Sequence, residues 1–174
     1  MSGTELKRRP HLRISIHAII FTILVAIMCV IIFLFSSQNA EMSSLSSGCI
    51  SDLILRVFFP ELSQMTSMDQ LQIRSTVSAI IRKGAHFTEY AILAQLAFQL
   101  FLALPRPRKE LTAAALGLVF TVIYAMTDEY HQSFVPGRAM MARDILIDTL
   151  GALLGIFIVL MVLRRQKRKN KAGP

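Results

Sequence analysis

Four runs of almost unbroken apolar residues, at residues 14–35, 85–104, 111–127 and 145–163, dictate what this chain can become. They contain 22, 20, 17 and 19 residues. A helix needs roughly 20 residues, at about 1.5 Å each, to cross the roughly 30 Å of hydrocarbon in a bilayer. Backbone inside lipid has no water to bond, so runs of this length must become helices, which satisfy their own N–H and C=O groups. The third run is short, and reaches spanning length if it continues to Tyr130. Composition agrees: 53% of the 174 residues are hydrophobic, only 17% are charged, and the mean hydropathy is +0.53. A soluble domain carries about a quarter charged residues. The expectation is an all-α, polytopic membrane protein with four transmembrane helices at about residues 14–35, 85–104, 111–130 and 145–163. They form one domain over residues 14–163, flanked by basic tails at 1–13 and 164–174.

The first run exceeds the roughly 7–15 apolar residues of a secretory signal, and no small-x-small cleavage site follows Phe35, so it reads as a retained anchor. Cys29 falls inside that run and Cys49 in the loop after it, at different depths, which argues against a bridge between them.

Charge sets the orientation. Four spans put both termini on one side, together with the turn between the second and third runs. Thirteen of the nineteen Lys and Arg lie there: Lys7, Arg8, Arg9 and Arg13, then Arg106, Arg108 and Lys109, then six between Arg164 and Lys171. The opposite side has Arg56, Arg74, Arg82, Lys83, Arg138 and Arg143, although its loops are longer. The positive-inside rule therefore places both termini in the cytoplasm and a helical loop between the first two spans outside. Nine of the eleven carboxylates fall on that outer side or at the outer ends of spans. The net +8 does not point to nucleic acid, because no aromatic-interleaved basic stretch or binding motif accompanies it. Attraction of residues 164–171 to anionic inner-leaflet lipids is the simpler account.

Between the first two runs, residues 36–48 are serine-rich, residues 52–59 are amphipathic enough to lie on the membrane or the bundle, and Pro60 ends them. Ser67-x-x-Gln70 is a capping-box pattern that announces a helix running on into the second span, with Gly84 as a point of bending. Pro105 and Pro107 make a stiff connection between antiparallel second and third spans. Pro136-Gly137 marks a type II turn. Gly151 and Gly155, four apart beside Ala152, form a small-xxx-small surface for close helix contact within the bundle.

Ionisable residues at the ends of oily runs are costly and are usually retained for a purpose. His86 and Glu89 begin the second run, Asp128, Glu129, Tyr130, His131 and Gln132 end the third, and Asp144 and Asp148 begin the fourth. All three ends face outward in the four-span arrangement, so these groups share one depth. On a helix, residues three and four apart share a face. That aligns Arg82, His86 and Glu89; Lys83, His86 and Tyr90; Asp128 and Gln132; and Asp144 and Asp148. The candidate catalytic groups are His86, Glu89, Asp128 and Glu129. The candidate binding groups are Lys83, Tyr90, Gln132, Arg138, Asp144 and Asp148. His86 titrates near neutrality and suits general acid–base work, but an interhelical hydrogen bond explains it equally well. Glu89 suits an acid or base, and equally a structural ion pair with Arg82, Lys83 or Arg138. Arg138, after the Pro-Gly turn, has the planar fork that suits carboxylate or phosphate. A metal site is conceivable from His86 with the carboxylates, although no tight ligand spacing such as two histidines at i and i+4 is present; no Ser-His-Asp order stands out, and the sequence leaves the cofactor unknown.

At these residues the chain resembles the VanZ-like family of bacterial membrane proteins. The matching segments are Arg82-Lys83-x-x-His86-Phe87-x-Glu89-Tyr90, then Asp128-Glu129-x-x-Gln132-x-Phe134-Val135-Pro136-Gly137-Arg138, then Asp144-x-x-x-Asp148-x-x-Gly151, with Phe35-Ser36-Ser37-Gln38 at the end of the first run. The resemblance covers about residues 14–160, in order. It implies a bacterial cell-membrane location and, through the founding member, an association with resistance to teicoplanin, an acylated glycopeptide. It implies no particular reaction. Asparagine also occurs in that family at the position of Asp148, so the resemblance requires no charge there.

The expected function is engagement of an amphiphile by an outward polar pocket: membrane lipid, a lipid-linked cell-wall precursor or an acylated glycopeptide. Two other classes stay open, a hydrolase or transferase acting on a lipid-linked substrate, and a structural or accessory subunit. A transporter fits poorly, because no ionisable residue sits near the middle of any run.

Overall fold

A computed structural model of the chain describes residues 15–38, 48–105 and 109–172. The basic segment 1–13, residues 39–47 of the serine-rich loop, and Arg106, Pro107 and Arg108 lie outside the described residues. Within them the chain is all-helical: α1 (Ile16–Ser36), α2 (Gly48–Phe58), a 3-10 turn (Leu62–Gln64), α3 (Ser67–Ala103), α4 (Glu110–Gln132) and α5 (Ala142–Ala172). Cys29 and Cys49 are free.

Local chemistry fixes the helix ends. Ser15 caps α1, its Oγ accepting from the His17 N–H at 3.3 Å. The cap of α3 stands one residue earlier than the Ser67-x-x-Gln70 pattern suggests. Thr66 is the N-cap: its Oγ1 accepts from the Asp69 N–H at 3.3 Å and donates to Asp69 Oδ2 at 2.7 Å. Gln70 instead donates to the Met65 carbonyl at 3.0 Å. The reciprocal pair Thr66 and Asp69 thus takes the place expected of Ser67 and Gln70. Leu104 leaves α3 in an extended conformation because Pro105 follows it. The turn after α4 closes with the Arg138 N–H on the Val135 carbonyl at 3.0 Å, and Gly137 has φ 78°. This is the positive φ that the Pro-Gly pair anticipates. The basic C-terminal segment continues α5 as helix through residue 172, and Lys167 ion-pairs with Glu110 of α4.

The 37 residues of α3 make a rod about 55 Å long at about 1.5 Å per residue. Its first half carries α2, with Leu55, Leu62 and Val77 forming a small core. Its second half is the centre of the bundle, where Tyr90, Leu93, Ala94, Ala97 and Phe98 are fully covered. Val25, Met28 and Ile32 of α1 pack on Tyr90 and Leu93, with Ala125 of α4. Ala113 and Ala114 of α4 and Ala152, Ile156 and Val159 of α5 pack on Ala94 and Phe98. Directions alternate. Ser36 at the end of α1 meets Asp128 near the end of α4, whereas Phe87 and Ala91 of α3 meet Gly151 and Gly155 of α5 in parallel register.

Among the described residues, three helices are long and apolar enough to cross a membrane: α1, α4, and α5 over Ala142–Lys171, with mean hydropathies of 3.3, 1.6 and 2.6. The run at 85–104, expected as the second span, is not among them. His86, Glu89, Gln95 and Gln99 dilute it. Its position explains how it carries them, since a helix surrounded by other helices need not present an apolar face to lipid. By contrast α1, with 17% of its apolar window buried, leaves Ile19, Ile23, Ile27 and Leu34 exposed and must be oily all round.

The closest packing is between α3 and α5. A Cβ on Gly151 would stand 2.2 Å from the Phe87 carbonyl oxygen, and one on Gly155 would stand 2.1 Å from that of Ala91. Backbones this close exchange dispersion and Cα–H···O contacts. Gly84 has nothing within 4 Å. We expect Gly151→Ala and Gly155→Ala each to destabilise the protein by about 1–3 kcal/mol through overpacking. Gly84→Ala should be neutral, or stabilising by about 0.5–1 kcal/mol through helix propensity. Melting temperatures of the three variants in detergent check this ranking.

Candidate functional site

The middle of α3, the end of α4 and the start of α5 meet around a cavity of about 180 Å³. Lys83 and His86 reach it from α3, Glu129 and Gln132 from α4, and Asp144 and Asp148 from α5, with Arg138 contributed by the turn between α4 and α5. The parallel register of α3 and α5 sets Lys83 opposite Asp144, and the two form an ion pair. Asp144 also lies 3.6 Å from Arg143 Nε.

Two further carboxylates, Glu129 and Asp128, are held by neutral donors. Glu129 is buried, and its Oε1 accepts from the Met141 N–H at 2.7 Å, which ties the turn to α4. Asp128 is buried behind the cavity and accepts from Ser36 Oγ at 2.9 Å and Gln132 Nε2 at 3.0 Å. Gln132 Nε2 also donates to Ser36 Oγ at 2.6 Å, while its Oε1 accepts from Arg138 Nη1 at 3.1 Å. A chain of contacts thus runs from the end of α1 through α4 to the turn. Nearby, Ser37 Oγ lies 3.1 Å from His131 Nε2, and that ring packs on Phe33 at 4.5 Å.

Of the residues expected at the site, Lys83, His86, Glu129, Gln132, Arg138, Asp144 and Asp148 line the cavity. Glu89, Tyr90 and Asp128 do not. Glu89 sits one turn deeper, its Oε2 3.6 Å from His86 Nδ1, too far for a hydrogen bond. Neither atom has another hydrogen-bond partner among the described residues, although both are buried. Tyr90 is fully covered in the core, with its ring 6.4 Å from His86. Its hydroxyl interacts with Asp128, but neither Tyr90 Oη nor Asp128 Oδ1 makes a hydrogen bond of good geometry. Ser36, Arg82 and Arg143 belong to the arrangement and were not anticipated as site residues. Arg82, four residues before His86, carried the signal in its helical spacing. Ser36 gave only its place at the end of an apolar run.

Burial pushes the Arg138 guanidinium below its ordinary value, and Arg82 pushes the same way, while Asp128, Glu129 and Asp144 oppose them. Its ordinary value lies so far above neutrality that it remains charged. Among the described residues no group of three His, Cys, Asp or Glu is arranged to hold a metal ion. The cavity is therefore a small, mixed-charge site with a histidine on one wall.

The model of the VanZ/LLP1 family matches residues 21–164. The chain belongs to the VanZ/LLP1 family. The match takes in every residue of the cavity. Comparison with curated proteins and with solved structures gives no match. Within this VanZ/LLP1 protein, Ser36 is fully buried and joins two groups of α4. Ser36→Ala should lower stability by about 1 kcal/mol, whereas Ser133→Ala, at an exposed position, should change it by less than about 0.5 kcal/mol. Parallel melts in detergent measure the difference.

Proposed function

We propose that this VanZ/LLP1 protein crosses the bacterial cell membrane four times with both termini in the cytoplasm, and engages an amphiphile in an outward-facing polar pocket. The convergence of seven expected polar residues from three helices and a turn on one cavity carries the reading. The four-span arrangement is supported by the alternating helix directions and by the central burial of α3. The orientation rests on the excess of basic residues at the opposite ends of the helices. At that depth the pocket adjoins lipid headgroups, so its natural occupants are a phospholipid, a lipid-linked cell-wall precursor or the acylated end of a glycopeptide. A contribution to glycopeptide tolerance would follow from the last two.

A second reading, chemistry on a lipid-linked substrate, is favoured by one observation. His86 Nδ1 and Glu89 Oε2 lie 3.6 Å apart, buried, with no other partner among the described residues. In that reading the pair moves a proton and Arg138 steadies a developing negative charge.

Lipids that remain bound through purification, read by mass spectrometry beside teicoplanin susceptibility of the cells, test the first reading. Wild-type protein should retain a defined lipid class. His86→Ala and Arg138→Ala, folded by melting temperature, should lose it by about tenfold, the cost of removing one hydrogen-bonding group. Unchanged lipid content and phenotype in both folded variants would reject it. Loss of function that follows a fall in melting temperature would instead assign these groups to structure. For the second reading, lipid extract incubated with protein in detergent should yield a product that His86→Ala abolishes. No conversion at any pH or with any added metal would count against it.

A further inference from the structure

The cavity holds an asymmetry that amphiphile binding alone does not explain. Four cations line it, Arg82, Lys83, Arg138 and Arg143, against three carboxylates. The carboxylates that accept hydrogen bonds or ion pairs take them from other groups: Asp144 from Lys83 and Arg143, and Glu129 from the Met141 N–H. Among the described residues neither Arg82 nor Arg138 forms an ion pair. Arg138 spends only Nη1, on the neutral Gln132, and its Nε and Nη2 are buried without a partner. Unsatisfied buried donors on a charged group are expensive. Two guanidinium groups facing one small cavity, near enough to repel, leave a place for an anion that bonds both.

Building on the amphiphile reading, we propose that the pocket is a phosphate site, in which Arg82 and Arg138 share the oxygens of a phosphate monoester. A carboxylate or a phosphodiester offers two charged acceptor oxygens, enough for one guanidinium fork, whereas a phosphate monoester offers three and can bond both. The size of the cavity points the same way. Sites for drug-sized ligands occupy roughly 300–1,000 Å³, and about 180 Å³ admits a phosphate headgroup but not the body of a glycopeptide. The ligand is therefore a phosphate-bearing molecule, with a lipid phosphate as one source and free phosphate as the other.

Calorimetric titration of the full chain, in phosphate-free maltoside detergent, distinguishes these sources. The probes are dihexanoyl phosphatidic acid, dihexanoyl glycerol, inorganic phosphate and acetate. Phosphatidic acid should bind and dihexanoyl glycerol should not. Arg82→Gln and Arg138→Gln should each weaken binding by about tenfold or more, while Arg74→Gln, at the exposed pair with Asp52, should leave it unchanged. If either glutamine variant melts early, Arg82→Lys serves in its place: charge is kept, the fork is lost, and affinity should still fall. Binding of inorganic phosphate as tightly as phosphatidic acid, with the same arginine dependence, upholds the anion site while contradicting the amphiphile reading. Binding of dihexanoyl glycerol equal to that of phosphatidic acid overturns the anion site and leaves the amphiphile reading standing. Acetate competing as well as phosphate, or phosphate binding indifferent to Arg82 and Arg138 in folded variants, overturns the proposal.

Discussion

The structure depends on the close approach of α3 and α5. At Gly151 and Gly155 the helix of α5 lies directly on the carbonyl oxygens of Phe87 and Ala91. No other residue type fits, because any Cβ would enter a neighbouring backbone. Parallel contact over this single turn fixes the register of the two helices. Just before it come Lys83 and His86 on α3, and Asp148 and Asp144 one and two turns earlier on α5. The glycines therefore set the distance across which Lys83 pairs with Asp144 and the width of the cavity beside them.

That contact also determines where polarity is tolerated. Covered by α1, α4 and α5, the second half of α3 meets protein rather than lipid, so it can carry His86, Glu89, Gln95 and Gln99 at the expense of its own hydropathy. The outermost helix, α1, has the opposite assignment. Most of its surface is uncovered, and almost every residue is apolar. Its buried polar side chain comes where the apolar run stops, at Ser36, which reaches Asp128 and Gln132, while deeper in the bundle the Cys29 carbonyl accepts from Tyr124 Oη at 2.6 Å. Charged groups are thus confined to the two ends of the bundle and to faces covered by other helices, as the cost of exposing them to hydrocarbon requires.

Much of this was legible in the chain. Apolar run length gave the helices, helical spacing gave the shared faces, and Pro136-Gly137 gave the turn that returns Arg138 to the cavity. The small-xxx-small pair gave a close contact within the bundle. Other features were not legible because they depend on depth and rotation. Glu89 and Tyr90 share a helix with His86, but one turn more carries them behind the cavity. Asp128 and Glu129 are neighbours pointing apart, and only packing decides that Glu129 lines the cavity while Asp128 bonds Ser36. Thr66 displaced Ser67 as the cap because the two residues offer the same hydroxyl, and spacing alone does not choose between them.

The central claim is that the polar cavity opens on the extracytoplasmic face, at the end of the bundle opposite the basic termini. Single cysteines at Ala139, which is exposed at the cavity, and at Lys169, in a chain with Cys29 and Cys49 replaced by serine, measure it directly. In intact cells a membrane-impermeant maleimide should label the cysteine at Ala139→Cys and leave Lys169→Cys untouched until the membrane is permeabilised. Labelling of Lys169→Cys from outside, with Ala139→Cys protected, would contradict the account.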